Sequence, residues 1–327
     1  MTFGLSLNLF GSTTKALEID KVYDILIVGG GPAGLNAALY AKRKGGDVGI
    51  ITKIVGGQIV DTSIIENYLG YASITGKDLV KQFEDHIAGL EIPMAKEVIV
   101  EKIQIDEGSN IKRLTTSDKK TYMAKSVIVA TGSVPRKLEV PGEEEFFSKG
   151  VHYCAICDGP LYTNKEIIVA GGGNTAVEAA IDLSKFASKV TIVHRSQIRA
   201  DKILTDRLEK LSNVEVKLET QIKRILGDTR FSGVEVLDKK KNQLYTIEAE
   251  GIFVEIGVLP NTQGFGDLLE LNVTNEIIVD KKGRTNIPGI YAAGDCTDVE
   301  YKQVIISAAD GANVALSVFE YLNTLDD

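Results

Sequence analysis

Two cysteines three residues apart, Cys154 and Cys157, are the side chains of this sequence whose type and spacing most directly indicate chemistry. A C-x-x-C pair can be half of a zinc site, a redox-active dithiol, or two unrelated buried thiols. Zinc would need further ligands, and Cys296 and the 3 histidines offer no second C-x-x-C or H-x-x-x-H spacing. The pair also lies in a turn-rich segment, YCAICDGP, which is unusual for inert core thiols. A redox dithiol fits best, because a helix start lowers a cysteine pKa and two sulfurs at this spacing can close a small ring.

Two glycine-rich turns are the second chemical feature. Each follows a short apolar run and precedes a helical pattern. The glycine positions of the Gly-x-Gly-x-x-Gly/Ala pattern are Gly29, Gly31 and Gly34 in the first turn and Gly171, Gly173 and Ala176 in the second. Such a turn lets the backbone approach a pyrophosphate that binds at the helix N-terminus, although one glycine triplet alone can be a purely structural turn. Two copies in this context imply two nucleotides, as in a flavin that exchanges electrons with a nicotinamide.

The elements that position these residues form a repeated strand–turn–helix unit, which predicts an α/β fold. Continuous apolar runs predict buried strands at 24–28, 126–130, 166–170, 189–193, 251–256, 277–280 and 289–293. Residues 214–218 and 233–237 alternate and predict an antiparallel meander, with Lys239–Lys241 at a hairpin tip. Residues 304–322 predict a long buried helix.

Composition limits the function classes. The chain has 327 residues and a formal net charge of −8, so two domains are expected, and nucleic acid or an anionic membrane is disfavoured as the primary partner. A count of 3 cysteines is too low for a secreted disulfide framework. No run of about 18 apolar residues occurs, which predicts no membrane-spanning helix. Residues 1–20 lack the features of a signal peptide and are interpreted as an extension of a cytoplasmic protein.

From Tyr23 to the C-terminus the chain resembles the low-molecular-weight, bacterial and archaeal type of thioredoxin reductase. Beyond the two glycine turns, the resemblance rests on motifs that occur in the same order. These are Gly56-Gly57-Gln58, Glu66-Asn67-Tyr68-Leu69-Gly70, Ala130-Thr131-Gly132 with Pro135, Pro141-Gly142, Cys154-Ala155-Ile156-Cys157-Asp158, and Ala293-Gly294-Asp295.

The resemblance implies two Rossmann-like, three-layer domains, the second inserted in the first. The FAD domain would comprise residues 1–134 and 259–327, and the NAD(P)H domain residues 135–258, including the dithiol. One inserted domain cannot present a nicotinamide and a dithiol to the flavin in a single arrangement, so the family solution, rotation about linkers near 132–138 and 257–261, is expected. The resemblance also implies a homodimer.

Cofactor residues follow from matching positions. The FAD residues would be Gly29, Gly31, Pro32, Ala33, Gly34, Gly57, Gln58, Asn67, Ala130, Thr131, Gly132, Gly294, Asp295, Gln303 and Val304. The NAD(P)H residues would be Gly171, Gly173, Asn174, Thr175, Ala176, His194, Arg195 and Arg199. An N-cap role for Asp295 is the structural alternative.

The resemblance also implies the catalytic roles. Cys157 would receive electrons from the flavin, Cys154 would attack the disulfide of the partner, and Asp158 would handle the thiol protons. Cys154 and Cys157 would therefore form a disulfide that opens and closes in each cycle. A capping role for Asp158 remains open beside the catalytic one.

The sequence departs from the family pattern in two places. The stretch His194-Arg195-Ser196-Gln197-Ile198-Arg199-Ala200 has one arginine fewer and is one residue shorter than usual. The two remaining arginines can clamp a 2′-phosphate, so NADPH is favoured, while NADH, dual use, or another donor such as a reduced ferredoxin or deazaflavin stays open. The second strand of the first unit ends at Thr52-Lys53, without the acidic residue that usually binds the adenosine ribose. Backbone groups, or Thr52 and Lys53, are the alternatives for binding FAD at this position.

The expected activity is a flavin-dependent thioredoxin-disulfide reductase that passes electrons from NAD(P)H to thioredoxin or a thioredoxin-like protein. One alternative is a related flavin dithiol reductase or oxidase that acts on a peroxiredoxin, a glutaredoxin-like protein or a small dithiol. An alternative of another class is a flavin-binding regulatory module with vestigial chemistry. The intact Cys154, Cys157 and Asp158 argue against the regulatory module.

Overall fold

The computed structural model describes residues 15–62, 64–106 and 108–325. The strands in chain order are β1 (Val22–Gly30), β2 (Val48–Val55), β3 (Met94–Ala95), β4 (Val100–Ile105), β5 (Lys112–Thr116), β6 (Thr121–Val129), β7 (Ser133–Pro135), β8 (Val151–His152), β9 (Glu166–Ala170), β10 (Lys189–Val193), β11 (Val214–Lys217), β12 (Thr220–Gly227), β13 (Phe231–Asp238), β14 (Gln243–Glu248), β15 (Gly251–Val254), β16 (Val258–Pro260) and β17 (Ile290–Ala292). The helices are α1 (Pro32–Arg43), α2 (Gly76–Gly89), α3 (Ala155–Asp158), α4 (Asn174–Leu183), α5 (Lys202–Leu208) and α6 (Val304–Asn323).

The chain divides into two units. The first contains the described residues up to Val60, Gly76–Ser133 and those from Pro260 onward, and the second contains Asp61–Thr75 and Val134–Leu259. Thus the second unit is largely an insertion in the first. Residues 61–75 group with the second unit, although they were predicted to belong to the first domain.

The first unit is built on a seven-stranded sheet of order β3-β2-β1-β6-β5-β4, in which β17 pairs with β6. The strand β1 is parallel to both β2 and β6, and its apolar residues from Ile25 to Val28 are buried on both faces. Ile25 and Ile27 pack with α1 and α6, while Leu26 and Val28 pack into a second cluster on the opposite face. This two-sided burial explains the continuous apolar run of the sequence.

Helix α6 packs closely on α1. A Cβ at Gly311 would lie 2.0 Å from the backbone oxygen of Ala33, so only glycine permits this approach. By length and composition α6 is also long and apolar enough to cross a membrane, which was not predicted from the sequence. Its residues Val314, Ala315 and Val318 are buried in the core with α1. Core helices pass the same test, so the finding is weak evidence for a membrane span.

The second unit has three layers around a parallel sheet of order β11-β10-β9-β15-β8. On β9, Ile167 and Val169 face the cluster that contains α4 and α5. Ile168 and Ala170 face the opposite cluster, which contains the antiparallel sheet β12-β13-β14. The predicted α/β class with three-layer, Rossmann-like domains is therefore confirmed.

Two of the chain crossings between the units, at 133/134 and 259/260, run side by side. Strands β7 and β16 form a two-stranded sheet. The Arg136 N–H donates to the Gly257 oxygen, and the Asn261 N–H donates to the Gly132 oxygen, both at 2.9 Å. The segments predicted as linkers are thus hydrogen-bonded to each other.

Two predicted strands differ from the structure. Residues 277–280 form isolated bridges rather than a strand, with Ile277 paired to Leu271 and Thr297. Strand β11 runs parallel to β10 in the central sheet, whereas β13 belongs to the antiparallel sheet, so 214–218 and 233–237 do not form one meander. Alternating polarity marks a half-buried strand but does not identify its partner, which explains the second error.

The predicted extension is partly integrated into the first unit. Leu17 is buried in the core of this unit, and the Lys15 oxygen accepts the Met94 N–H at 2.8 Å. Residues 15–20 therefore belong to the fold, and the remainder of the predicted extension, residues 1–14, lies outside the described residues.

Lys112 is a fully buried cation of the first unit. Its Nζ donates to the backbone oxygens of Asn110 (3.0 Å) and Lys125 (2.9 Å) and to the Tyr321 hydroxyl (2.9 Å). Burial lowers the Lys112 pKa to about 8, and this amine forms no ion pair with any residue in the described ranges. The ammonium form is therefore costly in the folded state.

We expect the ionisation of Lys112 to make the free energy of unfolding depend on pH in the alkaline range. The unfolded chain binds the proton more tightly than the folded chain, so stability rises as pH increases from below 8 toward the unfolded pKa near 10. Relative to Lys112→Met, the wild-type free energy of unfolding should rise by about 2 kcal/mol between roughly pH 7 and 9.5. Urea unfolding across this range measures the difference. The control Lys77→Met replaces an exposed lysine, and its free energy of unfolding should change with pH as that of the wild type does. If the free energies of wild type and Lys112→Met changed with pH in parallel, the effect of Lys112 would be disproved.

Candidate redox and nucleotide sites

The first glycine turn lies between β1 and α1. Gly29 has φ +123°, and a Cβ there would lie 2.1 Å from the Ala130 oxygen. A Cβ at Gly34 would lie 2.0 Å from the Gly29 oxygen, which shows how tightly the helix starts against the strand. A Cβ at Gly31 would contact nothing within 4 Å of the described protein. Gly31 is also the N-cap of α1 and offers no side-chain cap, so the turn leaves an open approach to backbone N–H groups.

The other predicted FAD residues of the first unit surround this turn. A Cβ at Gly57 would lie 3.4 Å from Gly31 Cα, and a Cβ at Gly294 would lie 2.9 Å from Ala33 Cβ. The Thr131 hydroxyl donates to the Asn261 oxygen at 2.7 Å. These contacts bring distant motifs to one end of the sheet, where a flavin nucleotide fits.

Three predicted FAD residues lie further along the same unit. Gln58 donates through Nε2 to the Ser133 oxygen at 2.7 Å. Gln303 is the N-cap of α6 and Val304 is its first residue. The backbone N–H groups at the start of α6 therefore belong to the same unit as the first glycine turn.

Asp295 and Asp310 form a half-buried pair of acidic residues in the first unit. The Ser307 hydroxyl donates to Asp295 Oδ1 at 2.8 Å, and burial raises the pKa of both carboxyls. Asp310 Oδ2 is buried and has no hydrogen-bond partner within the described part of the chain. A buried oxygen of this kind is ordinarily completed by water or a ligand hydroxyl, so these residues fit a polyhydroxylated cofactor. Asp310 was not among the residues predicted from the sequence.

Two further residues belong to the predicted FAD region, Thr52 and Asn67. Thr52 is buried, and its hydroxyl donates to the Ile54 oxygen at 2.8 Å. This hydrogen bond stabilises the backbone at the end of β2. Asn67 lies in the segment that groups with the second unit and lines an open pocket of about 460 Å³ formed by residues 66–72. The assignment of Asn67 to FAD therefore stays a prediction.

The second glycine turn lies between β9 and α4. A Cβ at Gly171 would lie 2.3 Å from the Glu255 oxygen and 2.6 Å from Ala176 Cβ. A Cβ at Gly173, the N-cap of α4, would contact nothing within 4 Å of the described protein. The second turn thus repeats the geometry of the first, with a close helix start and an open approach for a pyrophosphate.

The remaining predicted NAD(P)H residues flank this turn. Arg199 donates its backbone N–H to the Gly172 oxygen at 2.7 Å. The buried His194 ring packs against Gly172, and burial, with help from the two arginines, lowers the His194 pKa. Asn174 exchanges two hydrogen bonds of 2.9 Å with Asp201, which fixes the first residue of α4. Thr175 is the next residue of that helix.

Arg195 and Arg199 have exposed side chains beside the turn. Neither guanidinium forms an ion pair within residues 15–325 as far as these are described. The predicted arginines are therefore available to an anionic ligand.

The cysteine pair forms a disulfide in the second unit, with Cα atoms 5.3 Å apart. Cys154 is the N-cap of α3, and its Sγ accepts the Cys157 N–H at 3.2 Å. The predicted C-x-x-C turn at a helix start is therefore present. The third cysteine, Cys296, is a free buried thiol. No group of residues suited to hold a metal occurs in the described chain.

Asp158 extends from the dithiol turn into a buried hydrogen-bonded chain. Its Oδ2 lies 3.0 Å from His152 Nδ1, and His152 Nε2 lies 2.7 Å from the Tyr162 hydroxyl. The His152 ring also stacks on Phe253 at 5.4 Å. Asp158 is thus held by a specific partner, His152, which was not among the site residues predicted from the sequence.

Glu255 is a second acid near the dithiol that was not predicted from the sequence. Its Oε1 accepts the Ala155 N–H at 3.2 Å. Burial raises the Glu255 pKa to about 7, while the hydrogen bond from Ala155 opposes the shift. An unusual Glu at the end of the apolar run GIFV was its only signal in the sequence.

Comparison with known proteins agrees with this geometry. The family described as pyridine nucleotide-disulphide oxidoreductase matches residues 23–311. The crystal structure of thioredoxin reductase from Streptococcus pyogenes MGAS5005 is 40% identical, with a TM-score of 0.87, and the match covers 93% of this chain and 99% of that one.

Two curated relatives are longer proteins. The F subunit of alkyl hydroperoxide reductase of Staphylococcus aureus (strain NCTC 8325 / PS 47) is 41% identical over 98% of this chain and 64% of its own length. A protein named NADH dehydrogenase from Ferdinandcohnia aciditolerans is 42% identical over 98% of this chain and 62% of its own length. The chain thus spans less than two thirds of these relatives.

Proposed function

This chain belongs to the pyridine nucleotide-disulphide oxidoreductase family, and from this membership we propose that it is a flavin-dependent thioredoxin-disulfide reductase supplied by NADPH. The observation that carries the proposal is the Cys154–Cys157 disulfide, which lies in the same unit as a nucleotide-type glycine turn and directly precedes Asp158. FAD, when bound, supplies the two-electron chemistry that joins the nicotinamide to the dithiol.

The residues of the chain have distinct tasks in this proposal. The first glycine turn and Asp295 hold FAD, and the second glycine turn holds the pyrophosphate of the nicotinamide nucleotide. Cys154 attacks the disulfide of the partner, and Cys157 resolves the mixed disulfide and closes the pair again. In each half-reaction one cysteine gains or loses a proton, and Asp158 supplies or takes up that proton. The carboxylate of Asp158 is oriented by His152.

Thioredoxin is the favoured partner because the match spans nearly all of the S. pyogenes thioredoxin reductase but only 64% of the alkyl hydroperoxide reductase relative. The second candidate is a peroxiredoxin-type or glutaredoxin-like partner, which the sequence similarity to the alkyl hydroperoxide reductase relative favours. Steady-state turnover with oxidised thioredoxin, a glutaredoxin-like protein and a peroxiredoxin separates the candidates. No turnover with any thioredoxin would disprove the first proposal.

The donor is tested by anaerobic bleaching of the flavin with NADPH and with NADH. NADPH is proposed because Arg195 and Arg199 are exposed beside the second glycine turn. Bleaching by neither nucleotide would disprove a nicotinamide donor and indicate another one, such as a reduced ferredoxin or deazaflavin.

Arg199→Ala should raise the KM for NADPH roughly tenfold to a hundredfold, because a charge-assisted hydrogen bond contributes about 1.5–3 kcal/mol. The KM for NADH should change little, since NADH lacks the 2′-phosphate. The control Arg207→Ala removes another exposed arginine of the same unit and should leave both values unchanged. Equal losses for the two nucleotides would contradict a role for Arg199 in binding the 2′-phosphate.

The remaining assignments are proposals of the same kind. We propose that the protein is a cytoplasmic homodimer without nucleic-acid or membrane partners, and that the second unit rotates about the crossings near 132–138 and 257–261. Light scattering of the purified protein tests the dimer.

A further inference from the structure

Glu255 connects the dithiol turn to the second glycine turn. Its side chain accepts the N–H of Ala155, the residue that follows Cys154. Its backbone N–H donates to the Ala170 oxygen at 2.8 Å, and its own backbone oxygen lies 2.3 Å from the position that a Cβ of Gly171 would take. The two parts of the unit that the proposed function assigns to electron transfer thus meet at one residue.

The side chain of Glu255 lies on the helix-bearing face of the central sheet. Phe253, two residues earlier, packs in the cluster with α4 and stacks on His152. Glu255 directly follows the end of β15 at Val254, and the hydrogen bond from the Ala155 N–H shows that its side chain also points toward α3.

The elements next to Glu255 carry few ionisable groups. Helix α3, whose Ala155 N–H Glu255 accepts, carries the cysteine pair and Asp158 with its cap, and β8, which pairs with β15, carries His152. The glycine turn at 171–173 contributes none. Glu255 forms no ion pair within the described chain, so no cation compensates its charge. Burial raises its pKa to about 7, so the carboxyl changes charge within the physiological range.

We propose that Glu255 is a positioning residue whose charge controls the pH at which the reduced Cys154/Cys157 pair holds its thiolate. The inference rests on the proposed function, because it assumes that the pair cycles between disulfide and dithiol. A carboxylate and a thiolate in one poorly solvated region disfavour each other. Ionised Glu255 therefore holds the pair in its thiol form, and protonated Glu255 permits the thiolate.

The Glu255 carboxylate and the cysteine sulfur also compete for the backbone N–H groups of the dithiol turn. The Ala155 N–H is engaged by Glu255, while the Cys157 N–H is engaged by Cys154 Sγ. A carboxylate and a sulfur thus draw on neighbouring donors of one short turn. When the sulfur becomes negative, both groups require stabilisation by the same few dipoles.

The test measures thiolate formation directly. The FAD-loaded enzyme is reduced with dithiothreitol, freed of reductant under anaerobic conditions, and alkylated with iodoacetamide from pH 5 to 9. Mass spectrometry quantifies modification of the peptide that carries the pair. The wild-type rate should rise in two steps, with one inflection near pH 7.

Glu255→Gln keeps an oxygen that can accept the Ala155 N–H and removes the charge. Its rate should rise in one step and exceed the wild-type rate at pH 6.5–7.5 about threefold or more. A damaged turn would change access to the cysteines and therefore shift the rate by the same factor at every pH, whereas loss of the charge removes the inflection near pH 7. The control Glu248→Gln removes an exposed carboxylate of the same unit and should follow the wild type.

Two results would overturn the inference. One is a Glu255→Gln profile that coincides with the wild-type profile, and the other is a uniform change of rate, up or down, with an unchanged inflection, which would indicate a purely structural role. Turnover of the wild type with oxidised thioredoxin is measured in parallel. Absence of that turnover disproves the proposed function, whereas the alkylation profile tests Glu255 separately.

Discussion

Replacing Cys157 with serine is expected to lower disulfide-reductase turnover by at least about 10³-fold. A serine hydroxyl cannot form a disulfide with Cys154, so the pair can no longer cycle between its oxidised and reduced forms. The variant should still bind FAD, because the residues of the first glycine turn and the Asp295 region belong to the other unit. The measurement is nucleotide oxidation in the presence of a protein disulfide, together with the flavin spectrum.

Cys296→Ser is the matched control for this experiment. Cys296 is the free and fully buried thiol of the described chain, and its loss leaves the pair intact. We expect turnover close to that of the wild type. Full biological activity of Cys157→Ser would instead support a flavin-binding regulatory module without dithiol chemistry.

Replacing Asp158 with asparagine is expected to lower turnover by about 10²–10⁴-fold, the range typical of removing a general acid–base group. Asparagine keeps the size of the side chain and an oxygen near His152 Nδ1, which lies 3.0 Å from the native carboxylate. It cannot take up a proton when a thiol ionises. Reduction of the flavin by the nucleotide should stay unchanged, because that step precedes dithiol chemistry.

Stopped-flow kinetics separate the two steps of the Asp158→Asn experiment. Flavin reduction is followed with nucleotide alone, and its reoxidation is followed after a disulfide partner is added. Asp182→Asn, which removes an exposed carboxylate of the same unit, should leave both rates unchanged. The Asp158 side chain makes no capping hydrogen bond within the described residues. If Asp158→Asn retains turnover within about threefold of the wild type, Asp158 acts only structurally, through its contact with His152.

Much of the fold could be predicted from the sequence because its strongest signals are local. The run EIIVA, its glycine turn and the following helix occur in the structure as β9 and α4, since a buried parallel strand and a tight turn each require particular neighbouring residues. The long final helix was predicted within a residue of its observed end at Asn323. The hairpin tip at Lys239–Lys241 also joins two strands as expected.

The prediction was wrong where the answer depended on a partner strand. Residues 214–218 alternate in polarity, but they joined the parallel sheet because β10 was available beside them. Leu17 carries no motif, and its place in the core follows from packing against the first sheet.

The sequence by itself determined the local features on which the proposed chemistry rests: two glycine turns and one C-x-x-C pair, each encoded within a few consecutive residues. The tertiary structure alone decided what surrounds the dithiol. Glu255 reaches Ala155 across 100 positions of chain, and His152 meets Phe253 because β8 pairs with β15. Burial in that sheet gives Glu255 its raised pKa and gives Asp158 its imidazole partner. Solvation and through-space contacts depend on the assembled sheet, so no short segment of sequence could reveal them.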